Sequence, residues 1–414
     1  MRTTIQGLTI ALLMAAAMAT TACSSNDDAD VISSENNPFK PIELTNVQTT
    51  LVHNSNDFAF NLFRKAQKDK SMILSPLSIT YALGMLNNGA SGQTQQEILD
   101  VLGFGSAGPD AINAFCQKMQ HEAPRMDKLT KVLISNTIFT NKPYTLKPSF
   151  VKTAQDFYDA TPETRDFHDG KTRDVINQWA SDHTEHMIEE LLTADAFNPN
   201  AVSYLLNAIY FKGSWASKFD KADTHDESFE GCDAKVPMMH QEAEFHYMDN
   251  DIFQAVELPY GNGAFSMTVL LPEKGKTLAD VAAALTADYW DQQKPRYPAI
   301  VDLKLPSFET QSNFKLVELM EQLGMKRAFD RELAEFPDFC NQPTYIGTMI
   351  QSARIKLNEE GTEAAAVTAV FMTNALSSSS PGHAVFHATR PFLYIISEKS
   401  TGTIFFIGQY TGKS

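Results

Sequence analysis

The sequence contains one match to a nucleotide-binding motif and none to the G-x-S-x-G elbow of serine hydrolases or to a P-loop. Residues 103–108 read GFGSAG, which has the glycine spacing of a dinucleotide-binding turn. That turn must follow a strand and open a helix, whereas this run follows a predicted helix and precedes Pro109. We therefore interpret it as a loop. No local pattern favours a Ser-His-Asp triad, whose members need not be close in sequence.

Histidine and cysteine, which often bind transition metals, also lack the spacing of a metal site. His183 and His186 lie three residues apart on a predicted helix, where the zinc motif H-E-x-x-H requires four. Three of the four cysteines, Cys116, Cys232 and Cys340, are widely separated and form no C-x-x-C pair. We predict no metal site. Free buried thiols are the simpler interpretation of these cysteines, and one disulfide stays open.

Residues 358–382, NEEGTEAAAVTAVFMTNALSSSSPG, combine the length of a long connection with the composition of a core strand. Between Gly361 and Ser380 there is no proline and a single charge, Glu363. Without proline, every backbone N–H can join a hydrogen-bonded ladder. With a period of two, one face carries only uncharged side chains, small at first and larger later: Thr362, Ala364, Ala366, Thr368, Val370 and Met372. The segment could therefore enter a sheet without being a strand in the starting state.

A strand or helix of the core is the alternative interpretation, since AAAVTAV would suit either. The segment is longer than an ordinary strand, however, and it ends in four serines and Pro381, which indicate an exposed end. These two features favour a long exposed segment that can change its pairing.

The elements around this segment indicate an α+β protein with one large domain. Residues 46–200 contain mainly helical patterns, and strands dominate from 201 onward, including two runs joined by Gly-Asn-Gly at 261–263. The chain has 414 residues, of which 43% are hydrophobic, so it can build a substantial core. Its formal net charge of −16 argues against a nucleic-acid partner, which would need basic surface to bind phosphate.

Several long stretches resemble the serpin family over about residues 50–412. The most specific is the hinge NEEGTEAAA at 358–366; others are LSPLSITYALGMLNNGASGQTQQEI, LLNAIYFKGSW, VELPYG, LLPEKG and RPFLYIISEKSTGTIFFIGQY. The resemblance implies a serpin fold, with about nine helices around three β-sheets and an exposed reactive-centre loop at about 359–382. It assigns residues 46–414 to the serpin domain.

The function implied by this resemblance is one-shot inhibition of a serine endopeptidase, or of a cysteine endopeptidase. The protease cuts the loop and forms an acyl-enzyme ester; the loop then enters the central sheet and the distorted protease is trapped. Such a protein is not an enzyme, has no catalytic residues and needs no cofactor. We expect a monomer whose partner is the target protease. The alternatives are a non-inhibitory serpin that acts as a binding protein, and a decoy that proteases simply cleave.

The hinge residues match those of inhibitory members of the family. Glu359 and Glu360 correspond to the acidic pair before the hinge. The resemblance makes Gly361 the pivot and Thr362 the first residue to insert, where an uncharged side chain is needed because it becomes buried. The hinge continues with Glu363, Ala364, Ala365 and Ala366. These small residues argue against the non-inhibitory alternative.

Counting thirteen residues on from Thr362, as the resemblance implies, places the reactive bond between Ala375 and Leu376. Counting back from Arg390 gives a position near Ser380, so the loop is about five residues longer than usual, and we place the extra residues after the cut. Ala375 suits the small pocket of an elastase-like protease. The fallback sites are Phe371, Met372, Thr373 and Asn374.

The family has a polar cluster that governs opening of the central sheet, and Ser75, Ser78 and Asn207 match it. Gln351 occupies the position where the family usually has histidine, so we expect opening to proceed without a pH switch. Trp215 matches the tryptophan at the top of the sheet, and we group it with this cluster.

The N-terminal residues indicate export and anchoring. Residues 1–22 begin with a basic residue and continue in a short apolar run, which predicts a signal peptide. Cys23 stands where this run ends, in an imperfect lipobox, so we predict lipidation there and membrane contact only through this anchor; a plain secreted protein is the alternative. Residues 23–45 predict a flexible tether. The SSNDD after Cys23 resembles the export signal of Bacteroides-group surface lipoproteins, which favours the outer face of a bacterial cell.

Overall fold

The computed structural model describes residues 36–105, 107–362 and 382–413, and these belong to one compact unit. The predicted signal peptide at residues 1–22 and the predicted lipidation site Cys23 lie outside the described residues. The described ranges contain nine α-helices, the number predicted. They are α1 (Asn46–Ala66), α2 (Pro76–Asn87), α3 (Gly92–Leu102), α4 (Pro109–Glu122), α5 (Pro148–Tyr158), α6 (Thr172–Asp182), α7 (Leu278–Ala284), α8 (Ala287–Gln293) and α9 (Val317–Leu323). Within these ranges no helix is both long and apolar enough to cross a membrane.

The strands lie mainly in the second half of the chain, which confirms the α+β prediction. Two of them, β7 and β8, form the hairpin predicted from Gly-Asn-Gly. The described strands are β1 (Met72–Leu74), β2 (Thr130–Asn141), β3 (Glu163–Arg165), β4 (Ser203–Ser214), β5 (His225–Glu227), β6 (Val236–Asp249), β7 (Phe253–Tyr260), β8 (Phe265–Pro272), β9 (Tyr297–Pro306), β10 (Phe308–Lys315), β11 (Thr348–Asn358), β12 (Gly361–Thr362), β13 (Gly382–His387), β14 (Phe392–Glu398) and β15 (Ile404–Tyr410).

A six-stranded sheet has the order β10-β11-β12-β4-β2-β3. Its centre is the pair β4 and β11, two parallel strands whose described pairing runs from Thr348 with Tyr204 to Ala353 with Ile209. The short strand β12 lies between the same two strands at one end. We call the junction of β4 and β11 the seam. Along one part of the seam the two strands pair directly, and at one end β12 lies between them.

The second sheet has nine strands, in the order β1-β15-β14-β8-β7-β6-β9-β13, with β5 also on β6. The sequence predicted three sheets, and this count differs from the two hydrogen-bonded sheets of the described residues. The reason is the length of β6: residues 238–247 pair with β9, whereas residues 246–249 pair with β7. One continuous strand therefore joins what the prediction treated as two sheets.

Helix α2 lies in the core and supplies two of the polar side chains discussed below. All of its residues are buried, and it packs against β2, β4 and β15. The helix begins at Pro76, whose fixed φ suits the first helical position, and the Ser75 side chain caps it by accepting from the Ser78 N–H. The capping residue and the first turn thus face the strands of the six-stranded sheet.

The described part of the predicted tether, residues 36–45, packs on the body, and only residues 23–35 of that prediction stay untested. Asn37 is buried; its side chain donates to Asp127 Oδ1 at 2.7 Å and accepts from the Lys128 N–H at 3.0 Å. Ile42 is also buried, and its N–H donates to Ser400 Oγ at 3.0 Å. Composition alone predicted a tether because these partners lie far away in sequence.

Replacing Asn37 by alanine is expected to release this segment, because Asp127 loses a donor and the Lys128 N–H loses its acceptor. Such losses cost about 1–3 kcal/mol, so amide hydrogen exchange at Ile42 should accelerate by roughly tenfold or more. Glu43→Ala, at an exposed side chain of the same segment, is the control and should leave exchange unchanged. Equal exchange in wild type and Asn37→Ala would contradict this account of the anchoring.

Candidate functional site

Two residues of the predicted hinge, Gly361 and Thr362, already form strand β12, between β4 and β11. Gly361 pairs with Asn358 on one side and Ser214 on the other, and Thr362 pairs with Leu357 and Gly213. The sequence predicted a segment outside the sheet in the starting state, which is wrong for these two residues. The ladder explains the difference: the described β4–β11 pairing ends at Ile209 and Ala353, and further along both strands β12 pairs with each of them.

Glycine is required on both sides of this close approach. Gly361 has φ of 146°, where other residues are strained, and an added Cβ would overlap the Gly213 carbonyl oxygen. A Cβ at Gly213 would lie 2.8 Å from the Tyr260 ring. The pivot predicted at Gly361 is therefore a position where the chain turns sharply against β4.

The Thr362 side chain is 1% exposed and lies on an aromatic pair. Its hydroxyl is 2.7 Å from the Tyr260 hydroxyl, and the Tyr260 ring stacks on Trp215 with centroids 4.5 Å apart. Burial raises the pKa of Tyr260, so its hydroxyl keeps its proton and can share a hydrogen bond with Thr362. A charged side chain at position 362 would be buried here with only the neutral Tyr260 hydroxyl as its partner, so an uncharged residue is needed.

The acidic pair before the hinge is held by the chain that follows β4. The Trp215 N–H donates to the Glu360 carbonyl at 2.9 Å, and the Phe219 N–H donates to the Glu359 carbonyl at 3.1 Å. The Lys218 ammonium, 2.7 Å from the Glu360 carboxylate, lowers the pKa of that carboxyl below its ordinary value. The Glu359 carboxylate accepts from Thr224 Oγ1 at 2.8 Å. The turn at 359–360 is thus docked by backbone and side chain together.

Four of the five residues predicted to control sheet opening form one buried cluster across the seam. Gln351 on β11 is the register partner of Asn207 on β4, and Ser75 and Ser78 lie beneath them at the start of α2. Gln351 Nε2 is within 2.9 Å of Ser75 O, Ser78 Oγ and Asn207 Oδ1, and the Ser75 N–H donates to Gln351 Oε1 at 3.1 Å. The Ser78 hydroxyl donates to Asn207 Oδ1 at 2.5 Å. The two strands are therefore bonded to each other and to the helix below.

Trp215 does not belong to this cluster, contrary to the predicted grouping. It directly follows β4, whereas Asn207 lies in the middle of that strand. The Trp215 indole N–H donates to the Asn358 carbonyl at 3.0 Å, and its ring stacks on Tyr260. Trp215 therefore contacts the hinge, and the four polar residues lie further along the seam.

Two residues of the site were missed in the sequence. Asn136 on β2 is buried and accepts from Asn207 Nδ2 at 2.7 Å, which extends the polar row to a third strand. Tyr260 carries the hydroxyl that meets Thr362. The signal for Asn136 was a polar residue at a buried position of an apolar strand; nothing in the sequence distinguished Tyr260 from other core aromatics.

The remaining predicted site residues lie outside the described ranges. These are the hinge residues Glu363, Ala364, Ala365 and Ala366, the reactive bond Ala375–Leu376, and the fallback sites Phe371, Met372, Thr373 and Asn374. Among the described side chains, no group of three or more His, Cys, Asp or Glu could hold a metal ion. Cys116, Cys232 and Cys340 are free thiols.

Comparison with known proteins gives a consistent family. The family model described as serpin (serine protease inhibitor) matches residues 53–412. Mouse antithrombin-III is 32% identical over 372 residues, covering 85% of this chain and 79% of the relative. Human serpin B3 is 30% identical over 380 residues, covering 86% of this chain and 97% of the relative. The crystal structure of tengpin, a thermophilic serpin in the native state, has a TM-score of 0.80 at 26% identity, covering 90% of this chain and 97% of that one.

The family model, these relatives and the hinge seated in the seam of the six-stranded sheet agree, and the chain belongs to the serpin family.

Proposed function

We propose that this protein inhibits serine endopeptidases by inserting its cleaved reactive loop into the six-stranded sheet. The observation that carries the proposal is β12: two hinge residues already lie between β4 and β11, at the end where the described pairing of those strands stops. Insertion would continue this strand, and each new ladder hydrogen bond contributes about 1 kcal/mol.

The register of β12 predicts where each loop residue would go. Antiparallel pairing keeps the sum of partner numbers constant, so the Thr362–Gly213 and Thr362–Leu357 pairs extend to Thr368 with Asn207 and Gln351. Asn207 and Gln351 are themselves partners across the closed seam, so both registers agree on the same residue. A threonine hydroxyl would thus reach the polar cluster at the point where that cluster must open.

The same register supports the predicted reactive bond. The first residue of β4, Ser203, would pair with Met372, and the first residue of β11, Thr348, with Phe371. Ala375 would then emerge just beyond the strand ends, where an attached protease would not have to enter the sheet. The small side chain of Ala375 favours an elastase-like target. We also propose attachment through a lipid at Cys23 to the outer face of a bacterial cell, on the sequence pattern alone.

Mixing the protein with an elastase is the direct test of inhibition. We expect a complex that survives boiling in denaturant, because the acyl ester is covalent, and a released peptide that begins at Leu376 by mass spectrometry. Cleavage without complex formation would identify a decoy. If several serine proteases neither cleave the protein nor form a complex with it, a binding protein would be the better interpretation. Either result would contradict the proposed inhibition.

Thr362→Arg separates insertion from simple cleavage in that experiment. A guanidinium would be buried against Tyr260 without a carboxylate, which costs several kcal/mol, so the variant should be cut with little complex formed. Thr49→Arg, on an exposed face of α1, is the matched control and should inhibit like wild type.

Cutting the loop should stabilise the protein. About ten new strand residues at about 1 kcal/mol each correspond to a rise of roughly 10 °C or more in Tm for a chain of this size. Thr362→Arg should show a smaller rise after the same cut. An unchanged or lower Tm after complete cleavage of the wild type would mean that the loop does not insert.

Gln351→His should introduce a pH dependence that the wild-type cluster lacks. A buried neutral histidine has a pKa below its unfolded value of about 6.5, so its stability contribution is present above about pH 6.5 and is lost as pH falls, by up to about 1.4 kcal/mol per pH unit. The difference in Tm between pH 8 and pH 5.5 should therefore exceed that of wild type. Gln93→His, at an exposed position, should match wild type; a matching pH profile for Gln351→His would contradict the assigned burial.

A further inference from the structure

A basic cavity lies at the β10 edge of the six-stranded sheet, apart from the hinge. Its volume is about 370 Å³, towards the lower end of the roughly 300–1,000 Å³ that is typical of small-molecule sites. Four lysines from three segments line it: Lys65 at the end of α1, Lys68 and Lys70 in the loop before β1, and Lys315 at the end of β10. The lining contains one acidic residue, Glu318.

These four lysines are unusual in a chain with 34 basic and 50 acidic residues. In the part of the chain that the structure describes, none of the four has a carboxylate within ion-pair distance, although 14 ion pairs of other lysines and arginines form elsewhere. All four side chains are exposed, and like charges around one cavity repel each other, so an anion bound there would relieve that repulsion.

The loop that carries Lys68 and Lys70 is held by buried groups. The side-chain amide of Gln409, which is fully buried, donates to both of their carbonyl oxygens, at 2.5 and 2.7 Å. The one acid of this loop, Asp69, pairs with Lys413 at 3.0 Å, so it does not neutralise the cavity.

The opposite wall is fixed to the same region. The Ile73 N–H, just after the loop, donates to Ser312 Oγ of β10 at 3.0 Å. Ser312 lines the cavity together with Gln311 and Asn313, whose side-chain amides can donate to an anion. Both lysine-bearing walls are thus held in place before any ligand binds, which lowers the entropy cost of binding.

Simpler roles account for two of the lysines one at a time. Lys65 lies in the last turn of α1, where a cation favours the helix dipole, and Lys315 lies on an edge strand, where lysine discourages strand pairing between molecules. Neither role explains why lysines of the fixed loop line the same cavity without carboxylate partners.

We infer that this cavity binds a compact, multiply charged anion of phosphate chemistry, such as a short polyphosphate. Lysine ammonium groups bind phosphate as point charges and do not require the bidentate geometry of arginine. Several adjacent phosphates match several lysines around one cavity, whereas a single carboxylate would leave most of them unpaired. The volume favours a compact anion over a long polymer.

Titration calorimetry of the full chain with sodium triphosphate, at constant ionic strength set by sodium chloride, tests the inference. Wild type should bind one triphosphate saturably and gain Tm in its presence. The double variant Lys70→Gln/Lys315→Gln should bind at least tenfold more weakly and, without ligand, should have a Tm equal to or above that of wild type because repulsion is relieved. Lys235→Gln/Lys274→Gln removes the same charge at exposed positions and should bind like wild type.

Three results would overturn the inference. They are no saturable binding by wild type at millimolar triphosphate, equal weakening in both double variants, and binding of a sulfated disaccharide in preference to triphosphate. The first would leave the lysines as solvated surface, the second would indicate a general charge effect, and the third would assign the cavity to sulfate chemistry.

Discussion

The pairing of β4 with β11 is the interaction on which the rest of the site depends. It is a parallel ladder for six residue pairs, and further along the same two strands other residues pair with β12 instead. Parallel pairing is slightly less stable per residue than antiparallel pairing. A loop strand that enters antiparallel to both neighbours would therefore replace one ladder with two.

The polar cluster gives this seam its specificity. Asn136, Asn207 and Gln351 cross three neighbouring strands in one row, and the start of α2 supplies the serines below them. Buried amides and hydroxyls cost free energy unless they are bonded, so separating the strands requires a replacement partner at this row. The cluster carries no titratable group, which distinguishes it from a histidine-based arrangement.

The sequence predicts features that depend on neighbouring residues. It predicts poorly the features that depend on contacts between residues far apart in the chain. The β7–β8 hairpin and the mainly helical first half follow from composition and periodicity, and both were predicted; the hinge was identified through the resemblance to serpins. The anchoring of Asn37 to Asp127 joins residues 90 positions apart, and the Thr362–Tyr260 contact joins residues 102 apart. A polar residue in a tether-like stretch or a tyrosine in an apolar strand has no sequence feature that identifies such a partner. The joining of two sheets through β6 was missed for the same reason, since only the register reveals it.

The anchoring of Asn37 fixes the end of the seam at which the N-terminal segment joins the body. Asp127 also accepts from Thr130 Oγ1, Thr130 pairs with Gly213, and Gly213 pairs with Thr362, so the N-terminal segment meets the body at the hinge end of the seam. Under the proposed insertion, the cut end of the loop would move to the other end of β4, roughly 35 Å away at about 3.3 Å per residue. A body held at its N-terminus would thus carry a captured protease away from its own point of attachment, towards the surrounding medium.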